Sequence, residues 1–219
     1  MKEYFAPVII PTLNRYEHLL NCLDSLRQNS LATETDLYIS VDFPPSSKYE
    51  EGYLKIKEYL NSTKITGFKS VNIFFQDKNL GPIKNPEFLI SKIEKDYDYF
   101  IFSEDDNIFS KNFLEYMNYY LNKYKDDKNY FCVCGHSIPI RWNNPEPSVH
   151  KNITILSAYG YGLWVEKEKE LGEVNGNVSI KNVDFSYVPE KELIKDLSID
   201  IKAGMRVAIV GPTGCGKTT

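Results

Sequence analysis

Two hydrophobic rhythms alternate along this chain. Short apolar runs recur at residues 7–10, 37–41, 71–75 and 99–102, rich in Val, Ile, Phe and Tyr. Their length and β-branched or aromatic make-up predict buried strands. Between them apolar residues fall three or four apart: Leu19, Leu20, Leu23 and Leu26, then Tyr49, Tyr53, Ile56 and Leu60, then Leu89, Ile90 and Ile93. A further stripe, Phe113, Met117, Tyr120, Leu121 and Tyr124, follows the fourth strand. These spacings predict helices. Asn14 with Glu17 reads as a capping pair, and Asn85-Pro86 as a cap followed by proline at the first helical position. Strand and helix in alternation predict crossover units and an α/β fold with a mainly parallel sheet.

After Gly135 the rhythm breaks. Residues 136–150 hold Pro139, Pro145, Pro147 and Trp142, a long loop. A short strand at 153–156 leads into Ser157-Ala158-Tyr159-Gly160-Tyr161-Gly162-Leu163-Trp164. Two glycines among aromatics read either as a packed turn or as close backbone approach beside flat sugar-binding surfaces. Farther on, Val178, Ile180, Val183 and Phe185 suggest a strand broken at Lys181-Asn182. Leu197, Ile199 and Ile201 alternate as another, and residues 205–210 form an apolar third.

Composition adds a boundary. Of the 30 aromatic residues, 28 lie in residues 1–166, and Glu166-Lys167-Glu168-Lys169-Glu170 sits where they stop. Such alternating charge reads as a solvated linker, placed here at 166–173, between segments 1–165 and 174–219. A net charge of −4 gives no basic surface for nucleic acid. Cys22, Cys132, Cys134 and Cys215 lack the second pair of a zinc site and read as free thiols. No signal-peptide core or membrane-length apolar run is seen, so a cytoplasmic protein is expected, with peripheral membrane association left open. His18, His136 and His150 read as structural or surface side chains, with His136 or His150 the alternatives for a metal shell.

Two stretches carry chemistry. The fourth strand runs straight into Glu104-Asp105-Asp106. Carboxylates at a strand's carboxyl end lie where open α/β sheets bind ligands, and their oxygens suit Mg²⁺ or Mn²⁺. The second stretch is Gly211-Pro212-Thr213-Gly214-Cys215-Gly216-Lys217-Thr218. It is a P-loop, whose backbone N–H groups wrap phosphates.

Residues 1 to about 165 resemble nucleotide-sugar-dependent glycosyltransferases of the GT-A, Rossmann-like fold. Pro7-Val8-Ile9-Ile10-Pro11-Thr12-Leu13-Asn14-Arg15 is similar to their first strand and donor loop. The resemblance implies donor contacts from Pro11, Thr12, Arg15, Asp42, Asn79, Gly81, Lys84, Glu104 and Asp105, with Asp106 as metal ligand. Tyr161, Gly162 and Trp164 echo the acceptor-side motif. It also implies Mn²⁺ or Mg²⁺, a nucleotide-sugar donor and a glycan or lipid acceptor. The family's general base lies downstream of the tryptophan motif, where this sequence leaves the pattern, so the base is expected to be missing and transfer impaired.

The last 48 residues resemble the start of an ABC-transporter ATPase domain, a small β-rich piece. Tyr187 is similar to its adenine-stacking aromatic. Gly211, Gly214, Gly216, Lys217 and Thr218 match its phosphate loop. The resemblance implies ATP as the ligand there. No hydrolysis is expected, because the sequence shows no Walker B acid. The chain thus reads as a fusion of two family pieces, with a non-catalytic fusion or an artefact of two joined gene pieces as the alternative.

Overall fold

The computed structural model describes residues 5–136, 159–170, 178–185 and 194–201. The chain divides into two compact units, Met1–Glu170 and Leu171–Thr219.

In the first unit the strands are β1 (Val8–Thr12), β2 (Asp36–Val41), β3 (Ser70–Phe75), β4 (Tyr99–Phe102), β5 (Cys132–Cys134) and β6 (Tyr161–Trp164). The helices are α1 (Tyr16–Arg27), α2 (Glu50–Ser62), α3 (Gly81–Ile93), α4 (Phe113–Lys123) and α5 (Val165–Glu170). One sheet forms in the order β3-β2-β1-β4-β6-β5. β1 pairs parallel with β2 and β4, and β2 with β3, while β6 runs antiparallel to β4 and β5. This is the mainly parallel α/β sheet of a GT-A fold.

Period-two alternation sorts the core into two layers. Val8 and Ile10 of β1 and Ile101 of β4 point to one face, packing with Leu19, Leu26, Ile56, Leu114 and Leu121 of α1, α2 and α4. Ile9, Phe100 and Phe102 point to the other, against Leu89, Ile93, Leu163 and Val165. Helices cover both faces, the usual setting of a parallel sheet.

Several local signals yield to longer-range contacts. α1 has no side-chain cap hydrogen bond, so the Asn14–Glu17 capping pair does not form; Arg15 occupies the cap position. α3 begins at Gly81, not at Asn85-Pro86, which lie inside it. Asn85 is buried and bonded to Ser40 of β2. The run read as a solvated linker is, over Val165–Glu170, a helix of the first unit. Lys167 is only 8% exposed and donates to the backbone oxygens of Asp127 (3.2 Å) and Tyr130, 3.9 Å from the Trp164 ring centre. Lys169 pairs with Glu94 at 2.7 Å.

In the second unit β7 (Val178–Phe185) and β8 (Ile194–Ile201) pair antiparallel. The register shifts between Ile180 and Val183, and Asn182 takes φ 51°, at the break expected from Lys181-Asn182. The loop from residue 137, the strand at 153–156, Tyr187, the apolar run at 205–210 and the P-loop with Cys215 lie outside the described residues. Among the described residues no helix is long and apolar enough to cross a membrane.

Candidate active site

The strand order reverses direction at β1. From β1 the chain builds outward to β2 and β3, then returns to place β4 on β1's other side. In open α/β sheets the crevice at such a switch point, past the carboxyl ends of the strands, is where ligands sit. Here those ends are Thr12 on β1 and Ser103 after β4.

Pro11 marks where the pairing of β1 with β4 ends. The carbonyls of Pro7 and Ile9 accept from Ile101 and Ser103, so odd-numbered positions of β1 face β4. Pro11 also faces that side and has no N–H to offer. β4 pairs with β1 only through Ile101 and Phe102, so the chain has turned away before Pro11 needs a partner.

Into that gap β4 delivers its acids. Asp105 turns inward, 2% exposed, and Thr12 Oγ1 donates to its Oδ2 at 2.6 Å. Arg15 reaches over from the loop after β1. Its Nη1 donates to Asp106 Oδ2 at 2.6 Å, its Nη2 lies against Asp105 Oδ1, and Glu104 Oε2 is 4.0 Å from Nη2. Burial, then the charge of Asp106, raises Glu104 above the ordinary carboxylate value, with Arg15 opposing. Burial likewise raises Asp105, against the hydrogen bond from Thr12 and the charge of Arg15. Burial would lower Arg15, but Asp105, Asp106 and Glu104 together raise it. The cluster is therefore a set of crowded carboxylates held by one guanidinium. Beneath it Cys22 lies 3.8 Å from Ser103 Oγ, its thiol pushed up to about 12 by burial.

The donor set is carboxylate oxygen throughout, the chemistry of a hard divalent cation. Asp105 Oδ1 is buried with no aligned hydrogen bond, only the Arg15 charge against it. Among the described residues no three His, Cys, Asp or Glu side chains converge to cage an ion. A hard divalent cation such as Mg²⁺ or Mn²⁺ would find one or two carboxylates here and would take the rest of its shell from oxygen ligands outside the protein.

Asp42, at the end of β2, is 4% exposed and fully engaged. Its Oδ1 accepts from the backbone N–H of Phe43 (2.9 Å) and Leu80 (2.8 Å), and its Oδ2 from Gly81 N–H (2.8 Å) and Asn79 Nδ2 (3.1 Å). Asn79, Gly81 and Asp42 thus form one knot that ties the start of α3 to β2. Lys84 is exposed on the first turn of that helix.

The acceptor-side residues separate. Tyr161 registers with Phe102 at the crevice end and stacks on its ring at 4.9 Å. Trp164 registers with Tyr99 at the far end of β4, buried beneath Lys167. Gly162 is buried, and a Cβ there would strike Leu121. A Cβ on Gly160 would meet Phe109 and Phe113. These glycines admit α4 and its aromatic neighbours, so in the described structure they serve the packed-turn reading. Cys132 and Cys134 share one face of β5, sulfurs 3.8 Å apart. His18 is exposed on α1, His136 faces Tyr159 with ring centres 5.0 Å apart, and His150 lies outside the described residues.

One positioning residue escaped the sequence reading. Gly52 lies in α2 against the loop after β1, where a Cβ would overlap the carbonyl oxygen of Asn14. A glycine inside a helix costs about 1 kcal/mol relative to alanine, and that cost was the available signal.

The Glycosyl transferase family 2 model matches residues 8–180. Among solved structures, the mannosyltransferase PcManGT from Pyrobaculum calidifontis, in complex with GDP-Man and Mn²⁺, has a TM-score of 0.50 at 12% identity, covering 78% of this chain and 48% of that one. S. aureus TarS 1-349 has a TM-score of 0.49 at 16% identity, covering 77% and 49%. At such identities the likeness concerns the fold. Curated relatives match a short stretch. The fatty acid ABC transporter ATP-binding/permease protein of Mycobacterium tuberculosis is 50% identical over 54 residues, 25% of this chain and 9% of that protein. The mitochondrial iron–sulfur clusters transporter ATM1 of Gibberella zeae is 50% identical over 44 residues, 20% and 6%. The chain spans less than a tenth of these transporters' length, and the matches accord with the resemblance of its last 48 residues. The family model, by contrast, runs through every strand that builds the crevice, and this chain belongs to glycosyl transferase family 2.

Proposed function

We propose that the first unit binds a nucleoside-diphosphate sugar through a divalent cation and presents the sugar to a glycan or lipid acceptor. The observation that carries this reading is the carboxylate cluster at the switch point, between the ends of β1 and β4. A bound Mn²⁺ or Mg²⁺ supplies Lewis-acid stabilisation of the charge that develops on the leaving diphosphate. Asp106, the carboxylate facing the crevice through Arg15, is the assigned metal ligand. Asp105, fixed by Thr12, and Glu104 orient the ribose or metal-bound water. Pro11, Thr12 and Arg15 line the donor's path, while Asn79, Gly81 and Lys84 stand where its phosphates or base approach. Asp42 acts chiefly by holding that last group in place. Tyr161, paired with Phe102 at the end of β4, is our choice for the acceptor side. PcManGT, with its GDP-Man and Mn²⁺, supports the donor class.

Calorimetry with UDP-glucose and with GDP-mannose, each with and without Mn²⁺, tests this. Mn²⁺-dependent binding of one donor is expected, weakened at least about tenfold in Asp106→Ala, as for loss of a charge-assisted contact of about 1.4 kcal/mol or more. Binding that ignores Mn²⁺, or no binding of either donor, overturns the reading.

A second reading concerns the tail. Matches of 41–54% identity to ABC transporters support a nucleotide-binding piece at residues 174–219, with ATP as the ligand of Gly211, Gly214, Gly216, Lys217 and Thr218 and stacking from Tyr187. We read the chain as a fusion of these two family pieces, joined after the helix Val165–Glu170.

A further inference from the structure

We propose that Arg15 is the resident counter-cation of the acid cluster: incoming Mn²⁺ or Mg²⁺ must displace it, and the donor's diphosphate then receives it. This rests on the nucleotide-sugar reading above and deepens it into an order of loading, in which cation and nucleotide arrive together.

The geometry has three parts. First, one guanidinium serves all three acids, with Nη1 on Asp106 Oδ2 at 2.6 Å, Nη2 against Asp105 Oδ1, and Glu104 Oε2 4.0 Å away. These are the oxygens a metal would use. Two cations cannot share them without strong mutual repulsion in so small a volume. Second, the arm is the more exposed partner of the pair with Asp105. Arg15 is 44% exposed by side chain, whereas Asp105 is 2% exposed and keeps the Thr12 hydroxyl on its other oxygen at 2.6 Å. The carboxylate stays in place while the arginine moves. Third, an anion has somewhere to be received. Arg15 occupies the cap position of α1, a 12-residue helix that has no side-chain cap hydrogen bond. Its first N–H groups and the released guanidinium would face the same phosphate oxygens. Arg15 is thus bound to carboxylates before loading and to diphosphate after it. The metal binds more tightly when a phosphate is present to take the arginine.

The consequence is reciprocal coupling between metal and nucleotide, equal in both directions. It is tested on the full chain by Mn²⁺ titration, read by electron paramagnetic resonance of free Mn²⁺, first without nucleotide and then with saturating UDP or GDP. In Arg15→Ala and Arg15→Gln, Mn²⁺ alone is expected to bind about tenfold more tightly than in the parent, because the competing charge is gone. The nucleotide's enhancement of Mn²⁺ binding is expected to shrink by a similar factor. Arg15→Lys keeps a charge and should hold Mn²⁺ alone near the parent affinity, which separates displacement from a general structural effect. Unchanged or weaker binding of Mn²⁺ alone in both neutral variants overturns the proposal, even where UDP or GDP still binds with Mn²⁺ and the donor reading stands. Tighter Mn²⁺ in those variants, with no UDP or GDP binding to any form, supports the displacement of Arg15 by metal and removes both its transfer to diphosphate and the donor reading.

Discussion

Gly52 shows how one missing methyl group can set a site. On an isolated helix, Gly→Ala gains about 1 kcal/mol. Here a Cβ at residue 52 would overlap the Asn14 carbonyl oxygen, a backbone atom that cannot rotate aside. Either α2 or the loop carrying Thr12 and Arg15 must shift. Gly52→Ala is therefore expected to destabilise the chain by about 1–3 kcal/mol, the range for overpacking, and to weaken Mn²⁺-dependent donor binding with it. Urea unfolding and the donor titration check both. A raised unfolding midpoint would mean that the loop does not rest on α2. The acids were legible at this scale because a strand's end aims them at one place. The link from Arg15 to Asp106 was not, since it joins residues 91 apart in the sequence.

At the scale of the element, α3 starts where a distant carboxylate lets it. Asp42 accepts from the N–H groups of Leu80 and Gly81, which α3 cannot satisfy internally, and from Phe43 and Asn79. Gly81 takes φ +80° at this join, a conformation open to glycine. Local pattern pointed to Asn85-Pro86 as the start because a cap and a proline stand side by side there. The deciding partner lies 38 positions upstream of Leu80, beyond the reach of any capping rule. Asp42→Asn turns one of two acceptor oxygens into a donor that faces other donors. It is expected to cost about 1–3 kcal/mol, the penalty for unmatched buried polar groups, measured as a lower urea midpoint. Parent-like stability would show that α3 is held by its apolar face alone. Strands were easier to read, because Val8 and Ile10 against Ile9 already divide the two core layers. The parallel strands followed from their alternation with helices, but the antiparallel run of β6, which puts Trp164 at the opposite end of β4 from Tyr161, was not readable.

Across the whole first unit, the two ends of the sheet treat their acids in opposite ways. At the carboxyl end Glu104 and Asp105 are raised, mainly by burial, so their ionised forms detract from stability. At the amino end of β2, Asp36 is 6% exposed yet lowered. Burial alone would raise it, but hydrogen bonds from Ser70 Oγ (2.6 Å), Tyr97 OH (2.7 Å) and Lys69 Nζ (3.0 Å) outweigh that. The same carboxylate raises the Tyr97 phenol, after burial. A lowered folded-state value means that Asp36 stabilises fully above its ordinary value of about 3.9 and loses that contribution as pH falls through the folded value. Asp36→Asn keeps the shape and removes the charge. It is expected to lower stability by about 1–3 kcal/mol at pH 7, with the deficit closing as the pH drops below about 4. Urea midpoints of parent and variant across pH 2–7 measure this directly. Because Asp36 sits at the end of the sheet remote from the crevice, Mn²⁺ and donor affinity at pH 7 should match the parent. A deficit that stays constant down to pH 2 would mean that the hydrogen bonds, not the ionised carboxylate, carry the contribution. A loss of donor affinity would mean that the two ends of the sheet are coupled through β2.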